Sequence, residues 1–250
     1  MTVVVRRPGP PLDRLVRAIT YQAGEQLQTS VEKILPDSSV TLWTMLNRGS
    51  AMLAGPRSRA TVIEFEQGLA HVSVMFRLDA AASFLLPVAA VADELIPLEL
   101  VWGRTGAALP ERLLSARTPD EMLASMERAL LAHLAGPLAP DPAMVAAAGA
   151  LSGGMPVAKV AADLGLLERT LRRRFTAQTG LAPKRFARVQ RLQRVVHALD
   201  GCSRADWATV AAAHGYSDQP HLADEFRDLA GVTPGEYLRS RVDGPNHLRV

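Results

Sequence analysis

At 250 residues and 48% hydrophobic composition, the chain is long enough for two ordinary domains and too apolar to be disordered. Its net charge of +3 is uneven: residues 1–150 hold 13 Lys+Arg against 15 Asp+Glu, residues 151–250 hold 15 against 10, and residues 168–200 alone hold 9 against 2. The lone Cys202 excludes an internal disulfide or a thiolate zinc cluster and fits a reducing compartment, and the six histidines have no metal-ligand spacing.

Residues 1–20 carry Arg6, Arg7, Asp13, Arg14 and Arg17 with no apolar segment behind them, so no secretory signal is expected. The longest uncharged apolar run, residues 80–92, is interrupted by Pro87 and too short to span a bilayer. A cytoplasmic location and no membrane partner are expected. "SVTLWTML" (39–46), "ATVIEF" (60–65) and "AHVSVMF" (70–76) read as strands, being short, rich in β-branched and aromatic residues, and bounded by turn residues. Helices follow. "TPDEMLASMERALLAHL" (118–134) opens with a capping box of Thr118 and Glu121, has Pro119 at its first helical position, and carries the stripe Leu123, Met126, Leu130 and Leu134. Trp43 and Trp102 read as core aromatics of this front half rather than as a ligand cage. "LAGPLAPDPAM" (134–144), with three prolines and a glycine, is the best boundary in the chain. The division expected is an α+β domain over 1–136, a linker over 137–142, and an all-α domain over 143–250.

The back half repeats itself. "GLLERTLRRRFTAQTGLAPKRF" (165–186) lies over "GYSDQPHLADEFRDLAGVTPGEY" (215–237) once the second copy is allowed one extra residue. Gly165 then matches Gly215, Phe175 matches Phe226, Gly180 matches Gly231, Pro183 matches Pro234 and Phe186 matches Tyr237. An alanine-rich helix precedes each copy, "VAKVAADL" (157–164) and "WATVAAAH" (207–214). Helix, glycine turn, helix, twice over, is a duplicated helix-turn-helix. Within the first copy, Leu167, Leu171 and Phe175 are spaced by four and predict one apolar stripe, leaving Arg169, Arg172, Arg173 and Arg174 around the rest of the helix. The connecting helix "PKRFARVQRLQRVVHAL" (183–199) spans about 25 Å at 1.5 Å per residue. That length suits two recognition helices in successive major grooves, and it adds Lys184, Arg185, Arg188, Arg191 and Arg194, some of which would lie near the backbone. No GxSxG, HExxH, P-loop or GxGxxG occurs, so an enzyme is not expected and neither is a cofactor or metal.

Over residues 143–241 the chain resembles the AraC/XylS family of bacterial transcription regulators, most specifically in "AAAHGYSDQPHLADEFRDLAGVTPGEYL". More weakly, "ILPDSSVTLW" (34–43) and "IPLELVWG" (96–103) resemble sensory domains attached to some members. The resemblance implies two helix-turn-helix motifs joined by a long helix and, as partner, double-stranded DNA read in the major groove mainly by the first recognition helix (168–178). It places Arg169, Arg172 and Arg173 at base edges, with Arg174 meeting phosphate or an acid where the helix turns away. In the second motif it places Gln219, His221 and Ala223 there, with His221 open between a DNA contact and a local capping or packing role. Leu167 stands where the family often has a Ser or Asp cap, a loss of about 1 kcal/mol. Asp224 stands where the family's second motif usually has arginine, and with Glu225 and Asp228 it is expected to repel phosphate and leave the second motif a scaffold or weak reader. The front half would sense an effector or dimerise. RNA polymerase, a small-molecule effector and a second copy of the chain stay open as partners. So do two other readings, a monomeric regulator whose front half docks another protein and a DNA-directed enzyme with an unrecognised catalytic front half.

Overall fold

The computed structural model describes residues 2–24, 28–67, 70–78, 80–84, 87–136, 141–242 and 246–249; residues 137–140 of the expected linker lie outside the described residues. The front half opens with β1 (Thr2–Arg6), a single 3-10 turn at Leu12–Arg14, β2 (Val16–Ala23) and β3 (Gln28–Ile34). Then come β4 (Thr41–Met45), β5 (Ser50–Ala54), β6 (Thr61–Gln67), β7 (His71–Phe76) and β8 (Leu95–Pro97). The three strands expected from composition are β4, β6 and β7. Six strands form an antiparallel sheet in the order β1-β2-β7-β4-β5-β8. Alternation along each strand sends Ile19, Leu42, Leu53, Val72 and Val74 to one face, where all are fully buried.

Four helices close that face: α1 (Glu99–Trp102), α2 (Arg104–Ala107), α3 (Leu109–Leu114) and α4 (Pro119–Ala132). Leu113, Leu123, Met126 and Leu130 complete the core, each such side chain contributing roughly 1.5–3 kcal/mol of burial. Thr118 caps α4 by accepting from Glu121 N–H, as expected. The Glu121 carboxylate, however, takes the N–H of Arg117 rather than that of Thr118, so the capping box is not reciprocal. Trp102 is a core aromatic, its ring stacked at 4.1 Å on His133. Trp43 is not: it is half-buried on β4, between inward-facing Leu42 and Thr44 and so on the opposite face.

The back half is helical: α5 (Pro142–Ser152), α6 (Val157–Asp163), α7 (Glu168–Thr179), α8 (Pro183–Ala198), α9 (Trp207–Ala213), α10 (Gln219–Ala230) and α11 (Pro234–Ser240). The pairs α6–α7 and α9–α10 are the two repeated motifs. Gly165 and Gly215 make the turns between them at φ of +64° and +76°, a region other L-residues rarely enter. α8 belongs to both cores. Its Phe186 and Val189 pack with Leu171 and Phe175 of the first motif, and its Leu192, Val195 and Val196 pack with Leu222 and Phe226 of the second.

The two halves are packed together along the C-terminal ends of α7 and α10. Gly180 ends α7 so close to the front half that a Cβ there would lie 2.5 Å from Pro56 Cγ. Its repeat partner Gly231 ends α10, and its carbonyl accepts from Lys33 Nζ at 3.4 Å, while Leu229 O accepts from Ala60 N–H at 2.9 Å. Between them, Gln193 of α8 donates to Pro36 O. After α11 the chain adds an element that periodicity does not predict, β9 (His247–Arg249), which pairs antiparallel with β3 in the sheet β6-β3-β9. Leu248 is buried with Leu35 in the core of the second motif, and His247 Nδ1 lies 2.7 Å from Glu32 Oε2.

Candidate nucleic-acid interface

α7 is held from one side. Leu171 and Phe175 are fully buried, Phe175 edge-on to Phe186 at 5.1 Å, and Thr179 continues the stripe by donating to Phe175 O. Leu167 does not belong to this stripe. It stands at the N-cap with extended backbone, 63% exposed and without a side-chain cap, so the helix start lacks an acceptor for its first N–H groups. On the opposite surface Arg169, Arg172 and Arg173 are exposed, and none has a hydrogen bond or ion pair among the described residues.

Arg174 is placed differently. Of the two partners expected for it, the structure supplies the acid: its guanidinium pairs with Asp141. Asp141 is also the N-cap of α5, accepting from Ala143 N–H at 3.0 Å. Burial pushes the Asp141 carboxyl up, but Arg174 and the backbone N–H groups outweigh it and hold the group below its ordinary value of 3.8. A depressed folded-state value means stability that is present above 3.8 and lost as pH falls through the lower value. Asp141→Ala is therefore expected to cost about 1–2 kcal/mol at neutral pH, cap and part-exposed ion pair together, in urea denaturation. The ion-pair part of the difference should disappear in strong acid, leaving what a neutral carboxyl cap contributes; a difference undiminished there would show that the carboxylate's charge is not its source.

The arginines of α8 are mostly turned into the protein rather than left for a DNA backbone. Arg191 donates from Nε to Glu225 Oε1 at 2.9 Å and from Nη2 to Oε2 at 2.7 Å, with its guanidinium 4.5 Å over the Tyr216 ring. Arg188 bridges Glu225 at 2.9 Å and Asp228 at 2.7 Å, Arg185 lies 3.6 Å from Asp228, and Arg194 donates to Ser152 O. Glu225 is 7% exposed, so its charge is compensated where water cannot reach it. Two of the three acids expected to repel phosphate thus face α8. Only Asp224 stays on the outer surface, beside Arg227 at 3.2 Å.

In the second motif, Gln219 is exposed at the first position of α10. His221 is exposed but engaged locally: its Nδ1 accepts from Ser217 N–H at 3.3 Å, and its ring stands edge-on to Tyr216 at 5.3 Å. Asp218 caps α10 by accepting from His221 N–H at 2.7 Å. Sequence reasoning missed Asp141 as Arg174's partner, although "PDPAM" carries the Asp-Pro signal of a helix start. It also missed Glu225 as the residue joining α8 to α10. Among the described residues, no helix is long and apolar enough to cross a membrane and no cluster is placed to hold a metal.

Comparison with known proteins locates two segments. Residues 160–240 match the family described as "Helix-turn-helix domain", and residues 5–97 match a domain of unknown function, DUF6597. No curated protein matches the chain. Among solved structures, ToxT from Vibrio cholerae is similar at 11% identity, covering 96% of this chain and 98% of that one, with a TM-score of 0.44. A second ToxT structure, bound to (E)-4-(8-methylnaphthalen-1-yl)but-3-enoic acid, is 11% identical over 96% and 99%, with a TM-score of 0.45.

Proposed function

Residues 160–240 being an AraC-type helix-turn-helix domain, the DNA-binding unit of a transcription regulator, we propose that this chain reads an operator through the major groove chiefly with α7. The observation that carries the reading is the face of α7, where Arg169, Arg172 and Arg173 are exposed and unpaired among the described residues. Guanidinium groups in that state can meet guanine O6 and N7 bidentately without first breaking an internal bond. Arg174 serves instead to fix α7 against the start of α5. Gln219 is the reader available in the second motif, and His221 shapes the entry to α10. The division into a front domain over 1–136 and a DNA-binding domain over 143–250 is part of the same reading, with the tail crossing back to the front sheet. The front domain, packed at the ends of both α7 and α10, is suited to modulate their geometry, with an effector acting by population shift.

The test is binding to random-sequence and guanine-bearing duplexes as a function of salt, using the full chain and a variant with Arg169, Arg172 and Arg173 all changed to Ala. The variant should lose most of its affinity and have a shallower dependence of log K on log salt. A variant that binds like its parent would overturn the assignment of α7. Asp224→Arg removes an acid from the outer face of α10 and releases Arg227. It should tighten nonspecific binding and steepen the salt slope by about 0.9 for each phosphate gained; unchanged or weaker binding would show that this face does not approach DNA.

A further inference from the structure

A cleft of about 590 Å³ separates the two motifs. Its floor is one face of α8, carrying Lys184, Arg188, Arg191 and Arg194; Val157 lines one wall and His221 the other, and Glu225 lies within it. Four cations against Glu225, and against Asp228 paired with Arg188 beside it, leave the cleft net positive. The walls also orient it. Val157 begins α6, the first helix of motif one, and His221 lies in the first turn of α10, the recognition helix of motif two. In a helix-turn-helix, the first helix crosses the DNA backbone and the recognition helix presents its N-terminal residues to the bases. With both motifs docked in that way, a cleft bounded by those two ends would face the stretch of duplex between the two major-groove contacts.

We propose that this cleft takes the phosphodiester backbone between the two half-contacts, as a third point of attachment that carries no base reading. The proposal rests on the major-groove reading of α7 given above. Lys184 is exposed and has no hydrogen bond or ion pair among the described residues, so its ammonium is available to a phosphate. Arg188 uses Nε and Nη2 for Glu225 and Asp228, and Nη1 makes no bond to a described residue. Glu225 acts here as a positioning residue. It cancels part of the charge and holds Arg188 in one arrangement. Arg191, whose Nη1 donates to Gly215 O, and Arg194, bonded to Ser152 O, contribute positive potential rather than donors, so the contact falls to Lys184 and to Arg188 Nη1.

The experiment is phosphate-ethylation interference on a selected duplex with the full-length protein, together with salt titrations of the parent and Lys184→Ala. Lys184 is at the surface of α8, so the variant should fold. Interference at phosphates midway between the half-contacts is expected, and Lys184→Ala should lower the salt slope by about 0.9 while its base preference stays unchanged. Selective binding with no interference at those phosphates and an unchanged slope would overturn the proposal while leaving the major-groove reading intact. Failure of the parent to select any duplex would sink both. Inorganic phosphate is the second probe. Stoichiometric phosphate binding by calorimetry that is lost in Lys184→Ala, with the DNA salt slope unmoved, would assign the cleft to a free anion and overturn the proposal.

Discussion

Arg172→Ala is expected to weaken operator binding by about 1–3 kcal/mol, roughly fivefold to 150-fold, and to relax the preference at one base pair while the others keep theirs. Arg172 follows buried Leu171 by one residue, which turns it to the outer surface of α7. With no internal partner among the described residues, its removal leaves no uncompensated acid behind, so the loss belongs to the DNA contact. Arg174→Ala is the control: it strips Asp141 of its ion pair, and its effect should fall on stability instead. A uniform loss across all sequences for Arg172→Ala would make it a phosphate contact; no loss would remove it from the interface.

Leu248→Ala is expected to cost about 2–5 kcal/mol in chemical denaturation, the range for emptying a buried leucine site. Leu248 is 1% exposed and shares a core with Leu35 of the front half and Leu192, Phe226 and Tyr237 of the second motif. Its strand is hydrogen-bonded to β3, while Val242 N–H donates to His247 O, so the tail is tied at both ends. The substitution should also loosen the front sheet from the second motif, visible as faster amide exchange in β3 and β9. A loss below about 0.5 kcal/mol, the size of an ordinary surface substitution, would show that the tail does not hold the halves together.

The helical half is legible because its signals are local. Leu171 and Phe175 at a spacing of four, alanines in α6 and α9, and glycines recurring after each helix all act within one or two turns. Leu167 shares that spacing yet lies outside the core, because it precedes the first helical residue and follows extended backbone. In the front half, β4, β6 and β7 carry enough β-branched and aromatic residues to be seen. β2 is obscured where a bulge between Val16 and Ala18 shifts its alternation, and β9 exists only because β3 supplies a partner more than two hundred residues away. The charge block over 168–200 is plain in the sequence, but its division is not. The acids that occupy Arg188 and Arg191 lie 34 to 40 residues downstream and reach α8 only when α10 packs against it. What distinguishes the arginines of α7 from those of α8 is therefore a tertiary fact.

The most direct measurement is selection of random duplexes by the purified full-length protein at physiological salt, followed by sequencing of the bound fraction. A guanine-bearing site read by α7 should be enriched, with a weaker second half-site about ten base pairs away or none. Repeating the selection with Arg172→Ala should erase the preference at one position of that site. No enriched sequence for the parent protein, or enrichment that Arg169, Arg172 and Arg173 can all be removed without changing, would contradict the account.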